Sequence, residues 1–141
     1  HSTDEMVRGL MKTVSMLRRN HLPVLVVGPS IEYDDRLPLI IARYRMSGEN
    51  PQKLPQRFLR DESWALDGQM RNTFGFLPGV IYVSILQSMC PGHRCPLYAQ
   101  DGEPMEFDTH HLTAGGSTTV AQKALISNVL DLVRERPLKK K

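Results

Sequence analysis

The sequence has 141 residues, of which 40% are hydrophobic, 23% are charged and 6% are aromatic. This size and balance are typical of one globular domain and exclude a collagen-like or wholly disordered chain. No apolar run approaches the roughly 18 residues that a membrane-spanning helix needs. Because the first residues are amphipathic rather than uniformly apolar, we also expect no signal peptide.

The positive charge is concentrated at the end of the sequence. The formal net charge is +3, from 18 Lys and Arg against 15 Asp and Glu. Without the basic residues of the last segment the body is nearly neutral, so no nucleic-acid partner is expected. We therefore predict a single domain over residues 1–141 that ends in a disordered basic tail, residues 134–141.

The N-terminal segment predicts a helix followed by a strand. Ser2 and Glu5 have the spacing of a capping box, and apolar residues then recur at helical spacing. The helix should end near Asn20, because Pro23 follows. The run Val24–Val27 is continuously apolar and β-branched, which is typical of a parallel strand covered by helices on both faces.

The middle of the chain predicts two more helices and a second strand. A short helix is expected over Leu37–Met46, a loop over residues 46–55 and an amphipathic helix over Asp61–Phe74. Residues 79–83 form the second buried strand. Two strong strands are fewer than a free-standing doubly wound sheet normally has, so the chain is expected to hold part of a domain.

The last third predicts a hairpin and a helix. Asp101-Gly102 is a turn signal between residues 97–100 and 105–107. Pro104 in the return arm makes this hairpin an edge feature, since proline cannot donate to a ladder. A C-terminal helix should then begin with Ser117 or Thr118 as its N-cap.

Two cysteines, Cys90 and Cys95, lie in the segment Cys-Pro-Gly-His-Arg-Cys. Spacing alone leaves three interpretations open. A local disulfide would indicate an oxidising compartment. A zinc site would have His93 as a third ligand but would need another, and the third alternative is two free thiols.

The stretch from Phe107 to Ser117 carries the clearest chemical pattern. A carboxylate three residues before a histidine on a tight turn, as in Asp108 and His111, can bond the imidazole Nδ1–H. The Nε2 atom is then free to take a proton from a nucleophile. The alternative is that Asp108 only caps the turn, with His110 and His111 as surface residues.

This stretch and its surroundings resemble a known family. "CPGHRCPLYAQDGEPMEFDTHHLTAGGS" is similar to the C-terminal end of SGNH (GDSL-type) domains fused to bacterial membrane O-acyltransferases. "PVLVVGPSIEY" is similar to the fourth strand of those domains. The resemblance extends from about residue 6 to residue 133, and its most specific part is Asp108-x-x-His111-Leu112.

The resemblance implies a fold, a compartment and roles for individual residues. The fold would be a three-layer α/β/α arrangement with a mostly parallel sheet, SGNH-hydrolase-like and flavodoxin-like, incomplete in this chain. His111 would be the general base, Asp108 its orienting carboxylate, and Cys90 and Cys95 a disulfide. His110 matches a variable position. The domain would face the periplasm or cell exterior and would use no cofactor and no metal.

The sequence departs from the family pattern at the nucleophile. The family's serine lies in a Gly-Asp-Ser block that precedes the strand matched here by Val24–Val27, and its oxyanion-hole residues lie in the next two blocks. This sequence contains no Gly-Asp-Ser. Ser30, Ser63 and Ser117 do not match the motif, so the serine block is predicted to be absent.

Two hypotheses from different classes follow. The first is a fragment of an O-acyltransferase or esterase domain that acts on a cell-envelope or exported polysaccharide. Its partners would be an acyl donor, a carbohydrate acceptor and an upstream membrane acyltransferase domain in the parent protein. The second is a non-catalytic binding domain of SGNH descent. Apart from these two, the sequence also allows an unrelated α/β module in which Asp-x-x-His is only a turn. An exposed parallel sheet edge would also favour a swapped dimer.

Overall fold

The first helix, α1, occupies Thr3–Arg19 in the computed structural model, which describes residues 2–53 and 58–134. The predicted capping box is present. The Glu5 backbone N–H donates to Ser2 Oγ at 3.3 Å, and the Ser2 backbone N–H donates to the Glu5 carboxylate at 3.2 Å. Asn20 is the C-cap, as expected from the sequence.

The two predicted strands form one small parallel sheet. Strand β1 is Val24–Val27 and strand β2 is Val80–Val83, and Val24 lies opposite Val80 in the register. Within residues 2–53 and 58–134 the sheet has only these two strands, so neither has a partner on its outer side. The expected shortage of strands is therefore confirmed for the described part of the chain.

The two middle helices lie where the sequence predicts them. Helix α2 is Leu37–Met46 and helix α3 is Asp61–Phe74. The expected loop over residues 46–55 contains one 3₁₀ turn, Pro51–Lys53. Its last two residues lie outside the described part of the chain.

Helices cover both faces of the sheet. On one face, α1 and α3 pack against the sheet through Val14, Phe74 and the β1 residues Val24 and Val26. On the other face, Leu25 packs against a second apolar cluster to which α2, the short helix α4 (Ile85–Met89) and the C-terminal helix contribute. Side chains alternate between faces along a strand, so a run that is apolar at every position has a core on each side. The three-layer α/β arrangement is confirmed.

The C-terminal helix is continuous but changes pitch. Helix α5 (Ala114–Val120) leads through a π-helical turn (Ala121–Leu125) into helix α6 (Ile126–Arg134). Arg134 therefore belongs to a helix, not to the predicted tail, and residues 135–141 of that tail lie outside the described residues. None of the described helices combines the length and apolar character that crossing a membrane requires.

The predicted N-cap of this helix was wrong. Thr113 is the cap, and Ser117 and Thr118 lie inside α5. The Gly116 backbone N–H donates to Thr113 Oγ1 at 3.0 Å, and the same hydroxyl lies 2.8 Å from the carbonyl oxygen of Pro104, to which it donates. A contact with a chain segment nine residues away thus decides the cap, which helical spacing alone does not reveal.

The hairpin over residues 97–107 is present in a short form. The Ala99 N–H donates to the Glu103 carbonyl at 2.8 Å, and the Met105 N–H donates to the Leu97 carbonyl at 2.9 Å. Gly102 at the turn has a φ of 87°, a conformation that favours glycine. The return arm brings the chain directly to the Asp108 turn.

Gly116 should be intolerant of any side chain, because a Cβ there would meet the carbonyl oxygen of Met105. We expect Gly116→Ala to lower the free energy of unfolding by about 2 kcal/mol, the usual cost of overpacking. Urea denaturation followed by circular dichroism measures this. The control is Gly68→Ala in α3, where a Cβ meets no atom within 4 Å. That change should stabilise by about 0.5–1 kcal/mol, and equal effects at both positions would contradict the prediction.

Candidate functional site

The candidate site is built on a turn that begins at Asp108. Its Oδ1 atom accepts the backbone N–H groups of His110 at 2.9 Å and His111 at 2.8 Å. Such a turn is the typical local structure of an aspartate followed by two or three residues with free N–H groups. It places the side chains of residues i and i+3 together, as the spacing of Asp108 and His111 predicts.

The second carboxylate oxygen faces the imidazole of His111. Asp108 Oδ2 and His111 Nδ1 are 2.6 Å apart, within the hydrogen-bonding range expected from the sequence. The His111 side chain is 59% exposed, so much of the ring that Asp108 contacts lies open to solvent. His110 has a different partner, because its Nδ1 lies 2.8 Å from Thr109 Oγ1. The carboxylate therefore pairs with His111.

Backbone hydrogen bonds hold this turn against the segment that follows β1. The Tyr33 N–H donates to the Thr109 carbonyl at 2.8 Å, and the Leu37 N–H donates to the Asp108 carbonyl at 3.1 Å. Residues 33 and 37 follow the carboxyl end of β1, where ligands usually bind in open α/β sheets. The Asp108 turn therefore lies next to the segment that follows the carboxyl end of strand β1.

Two neighbouring rings contact the His111 imidazole, one stacked on it and the other tilted. The Phe107 ring is nearly parallel to it, with centroids 5.7 Å apart, and the His110 ring lies 4.0 Å away. Stacking restricts rotation of an exposed ring that the Asp108 hydrogen bond alone would leave partly free. Phe107 was not among the predicted site residues, although an aromatic residue directly before Asp-x-x-His was a usable signal.

The turn also keeps Asp108 ionised. The backbone N–H groups of His110 and His111 lower the pKa of the Asp108 carboxyl well below its usual range, and the His111 ring adds to this effect. Hydrogen bonds to the charged form are the physical cause. An ionised carboxylate at Nδ1 favours the tautomer that leaves Nε2 as an acceptor.

A second carboxyl group lies buried two residues before Asp108. Glu106 has no exposed surface, and neither of its carboxyl oxygens has a hydrogen-bond partner within the described residues. Burial raises its pKa to about 9, with further contributions from Asp108 and Glu32. Glu106 is therefore neutral at pH 7, and Asp108 is the ionised member of the two. The buried hydroxyl of Tyr33 also lacks a partner among these residues.

Glu106 was not among the predicted site residues. Because Met105 before it is fully buried, strand alternation would turn the next side chain toward solvent. No local signal indicates a buried acid there.

None of the three candidate serines, Ser30, Ser63 and Ser117, is hydrogen-bonded to His111. Ser63 is buried in α3, Ser117 lies within α5, and Ser30 follows β1. In the described residues no serine hydroxyl is hydrogen-bonded to His111. Within residues 2–53 and 58–134, the structure thus brings Asp108 and His111 together with no serine hydrogen-bonded to the ring.

Cys90 and Cys95 form a disulfide, with an S–S distance of 2.07 Å. The bond closes the loop between α4 and the hairpin, where Gly92 and His93 both have positive φ angles. The His93 ring stacks on Trp64, with ring centroids 4.1 Å apart. Of the three interpretations of this pair, the structure contains the disulfide.

Removing this disulfide should cost about 2 kcal/mol of unfolding free energy, the chain-entropy value for so short a loop. The measurement is urea denaturation of the wild type and of a Cys90→Ser, Cys95→Ser double variant. A reducing agent should destabilise the wild type by a similar amount and leave the double variant unchanged. The prediction would be contradicted if the reducing agent did not change the unfolding free energy of the wild type.

Comparisons with known proteins agree with this architecture. A family model described as "SGNH domain (fused to AT3 domains)" matches residues 1–125. The fold is similar to the solved structure of the Salmonella ser. Paratyphi A lipopolysaccharide acetyltransferase periplasmic domain, with a TM-score of 0.76 and 22% sequence identity. The match covers 93% of this chain and 51% of that one, so the chain spans about half the length of its structural relative.

No curated protein matches the sequence. At 22% identity the solved structure shows the fold alone. The family model is more informative, because it spans most of the sequence, including the β1 strand, the disulfide and the Asp108 turn. The chain belongs to the SGNH domain family whose members are fused to AT3 domains.

Proposed function

We propose that Asp108 and His111 are the acid–base pair of a serine-dependent O-acyltransferase or esterase domain. The observation that carries the proposal is the 2.6 Å contact between Asp108 Oδ2 and His111 Nδ1, on a ring whose opposite side is open to solvent. An oriented imidazole with an ionised carboxylate behind it is the proton-transfer part of a Ser-His-Asp triad.

The proposed reaction has two balanced steps. A serine oxygen attacks the carbonyl carbon of an acyl ester while His111 takes the serine proton, and Asp108 stabilises the imidazolium. The tetrahedral intermediate then expels the donor oxygen, which takes the proton from His111 and leaves an acyl-serine. In the second step a sugar hydroxyl or water gives its proton to His111 and attacks the acyl group. The serine oxygen departs and recovers that proton.

The disulfide and the structural comparison support a polysaccharide acceptor outside the cytoplasm. Disulfides persist in oxidising compartments such as the periplasm, and Cys90 and Cys95 are bonded. The solved structural relative is the periplasmic domain of a lipopolysaccharide acetyltransferase. We therefore propose that this domain faces the periplasm or cell exterior. Its substrates would be O-acyl groups of a cell-envelope or exported polysaccharide, and a membrane acyltransferase domain would be its partner.

The nucleophile and oxyanion donors would come from outside these 141 residues. Two surfaces support this part of the proposal. The outer edge of β1 is unpaired within the described residues, and Val27 at its end is exposed. Helix α6 also presents an exposed apolar stripe at helical spacing, formed by Ile126, Val129, Leu130 and Val133. A segment of the same polypeptide, or a second copy in a swapped dimer, would cover both surfaces.

A non-catalytic binding domain is the second candidate function. The observation that favours it is that no serine hydroxyl in the described residues bonds to His111. In that case the Asp108–His111 pair would contact a bound ligand and would not take part in any proton transfer.

Ester hydrolysis distinguishes the two candidates. The 141-residue chain alone should show no saturable turnover of nitrophenyl acetate, because an imidazole without a nucleophile or oxyanion donors is only a weak base in water. A polypeptide that also contains a Gly-Asp-Ser block should show saturable turnover that depends on His111. If the longer polypeptide is inactive, the binding domain is favoured. Saturable, His111-dependent turnover by the chain alone would contradict an external nucleophile.

A further inference from the structure

A second imidazole lies beside the proposed catalytic pair. The His110 and His111 ring centroids are 4.0 Å apart, and Asp108 bonds the His111 ring. Each of these three residues offers one ligand atom, and the three atoms lie within 4.8 Å of one another. A Ser-His-Asp mechanism needs only His111 and Asp108, so it leaves His110 unexplained.

These three side chains are a suitable donor set for a divalent transition metal ion. Zinc is bound in many proteins by two imidazoles and one carboxylate, with a fourth position left for water or another ligand. Bonds of about 2.0–2.2 Å place tetrahedral ligand atoms about 3.3 Å apart. The Asp108–His111 contact of 2.6 Å is shorter than this, so small side-chain rotations would open it around an ion.

The surroundings hold the ligands in place and leave them accessible. Backbone N–H groups occupy Asp108 Oδ1, so that Oδ2 is the oxygen available to an ion. The Thr109 hydroxyl lies 2.8 Å from His110 Nδ1 and orients that ring. Such outer hydrogen bonds commonly orient metal ligands. Both histidines are exposed, so an ion reaches them without unfolding of the turn.

We propose that Asp108, His110 and His111 form a binding site for a divalent transition metal ion, and that the bound ion blocks proton transfer by His111. The second part rests on the proposed function. Because Asp108 Oδ2 faces His111 Nδ1, an ion held by both residues binds at Nδ1. The ion then forces the ring hydrogen onto Nε2, which has no lone pair left to accept a proton. The bound ion therefore prevents His111 from acting as a base.

Isothermal titration calorimetry of the 141-residue chain with zinc chloride tests the site, in a buffer that does not bind zinc. We expect one zinc ion per chain. We also expect His110→Asn to weaken zinc affinity at least about tenfold, because even the loss of a residue that only hydrogen-bonds to a metal ligand commonly weakens metal affinity by about that factor. The control is His21→Asn, at an exposed histidine outside the site, which should leave the affinity unchanged. Equal affinity in His110→Asn and wild type would overturn the proposal.

NMR of the histidine rings gives an independent readout. Zinc should shift the ring signals of His110 and His111 together, at the same titration points, and should leave those of His21 and His93 in place. Shifts of His111 without His110, or equal shifts at all histidines, would overturn the three-ligand site.

Inhibition tests the blocking role separately. In an active polypeptide that contains the serine block, zinc should inhibit ester hydrolysis, and His110→Asn should require at least about tenfold more zinc. Full activity at zinc concentrations that saturate the site would overturn the blocking role. If all three residues bind zinc but the longer polypeptide never shows turnover, the metal site is confirmed. The same result counts against the proposed function.

Discussion

Replacing His111 with glutamine should reduce kcat/KM for an ester substrate by about 10⁴-fold in a polypeptide that contains both this sequence and the serine block. The nucleophile would then lose its base, while binding and oxyanion donors remain. Because the His111 side chain is exposed, the free energy of unfolding should change by no more than about 0.5 kcal/mol. Steady-state kinetics and urea denaturation measure the two effects.

Asp108→Asn provides a second test of the same pair. The amide oxygen can still accept the two backbone N–H groups, so the turn should persist. The amide N–H₂ group would then face Nδ1 and favour the tautomer whose Nε2 carries the hydrogen. We expect a loss of about 10³–10⁴-fold in kcat, as for a triad held in the wrong tautomer. His21→Asn is the control for both variants, and activity within tenfold of wild type in His111→Gln would contradict the assignment.

Replacing Glu106 with glutamine should remove a large part of the pH dependence of stability. The Glu106 pKa is raised from 4.5 to about 9 by burial in the folded state. Below pH 4.5 the carboxyl is protonated in both states, so its contribution to stability is fully present. As the pH rises the unfolded chain releases the proton and the folded chain keeps it. Stability is therefore lost progressively until about pH 9.

The expected size of this effect follows from the linkage relation. At about 1.4 kcal/mol per pH unit, the wild type loses on the order of 3 kcal/mol between pH 4.5 and pH 7 through this one group. Glu106→Gln should match the wild type near pH 4 and exceed it by up to that amount at pH 7. Urea denaturation across this range, with a chelator present, measures the difference. The exposed Glu103→Gln is the control, and parallel pH curves for Glu106→Gln and wild type would contradict the prediction.

A neutral Glu106 would also serve the proposed chemistry. A second negative charge next to Asp108 would stabilise the protonated His111 ring further and make it a poorer acid in the return step. Burial keeps the charge on one carboxylate, the one that contacts Nδ1. The cost is a carboxyl group that has no hydrogen-bond partner among the described residues.

The sequence by itself determined the elements whose causes are local. The Ser2–Glu5 capping box, the strand Val24–Val27 and the Asp108–His111 turn each depend on residues within a few positions of one another. Residue type and spacing predicted the capping box, a turn at Asp108 and, from the continuous apolar β-branched run, the covered parallel strand. For the Asp108–His111 contact, spacing also left the alternative that Asp108 only caps the turn, and the resemblance to SGNH domains favoured the pairing. The resemblance to SGNH domains added the pairing of Cys90 with Cys95, which spacing alone left open.

Only the tertiary structure decided the features that depend on distant segments. Thr113 caps the C-terminal helix because the Pro104 carbonyl reaches its hydroxyl, and helical periodicity could not distinguish it from Ser117. Glu106 is buried although alternation predicts an exposed side chain, and it lies near Glu32 and Tyr33 of the segment that follows β1. Burial and hydrogen-bond partners are set by packing between segments far apart in sequence, and a pattern read along one segment does not contain them.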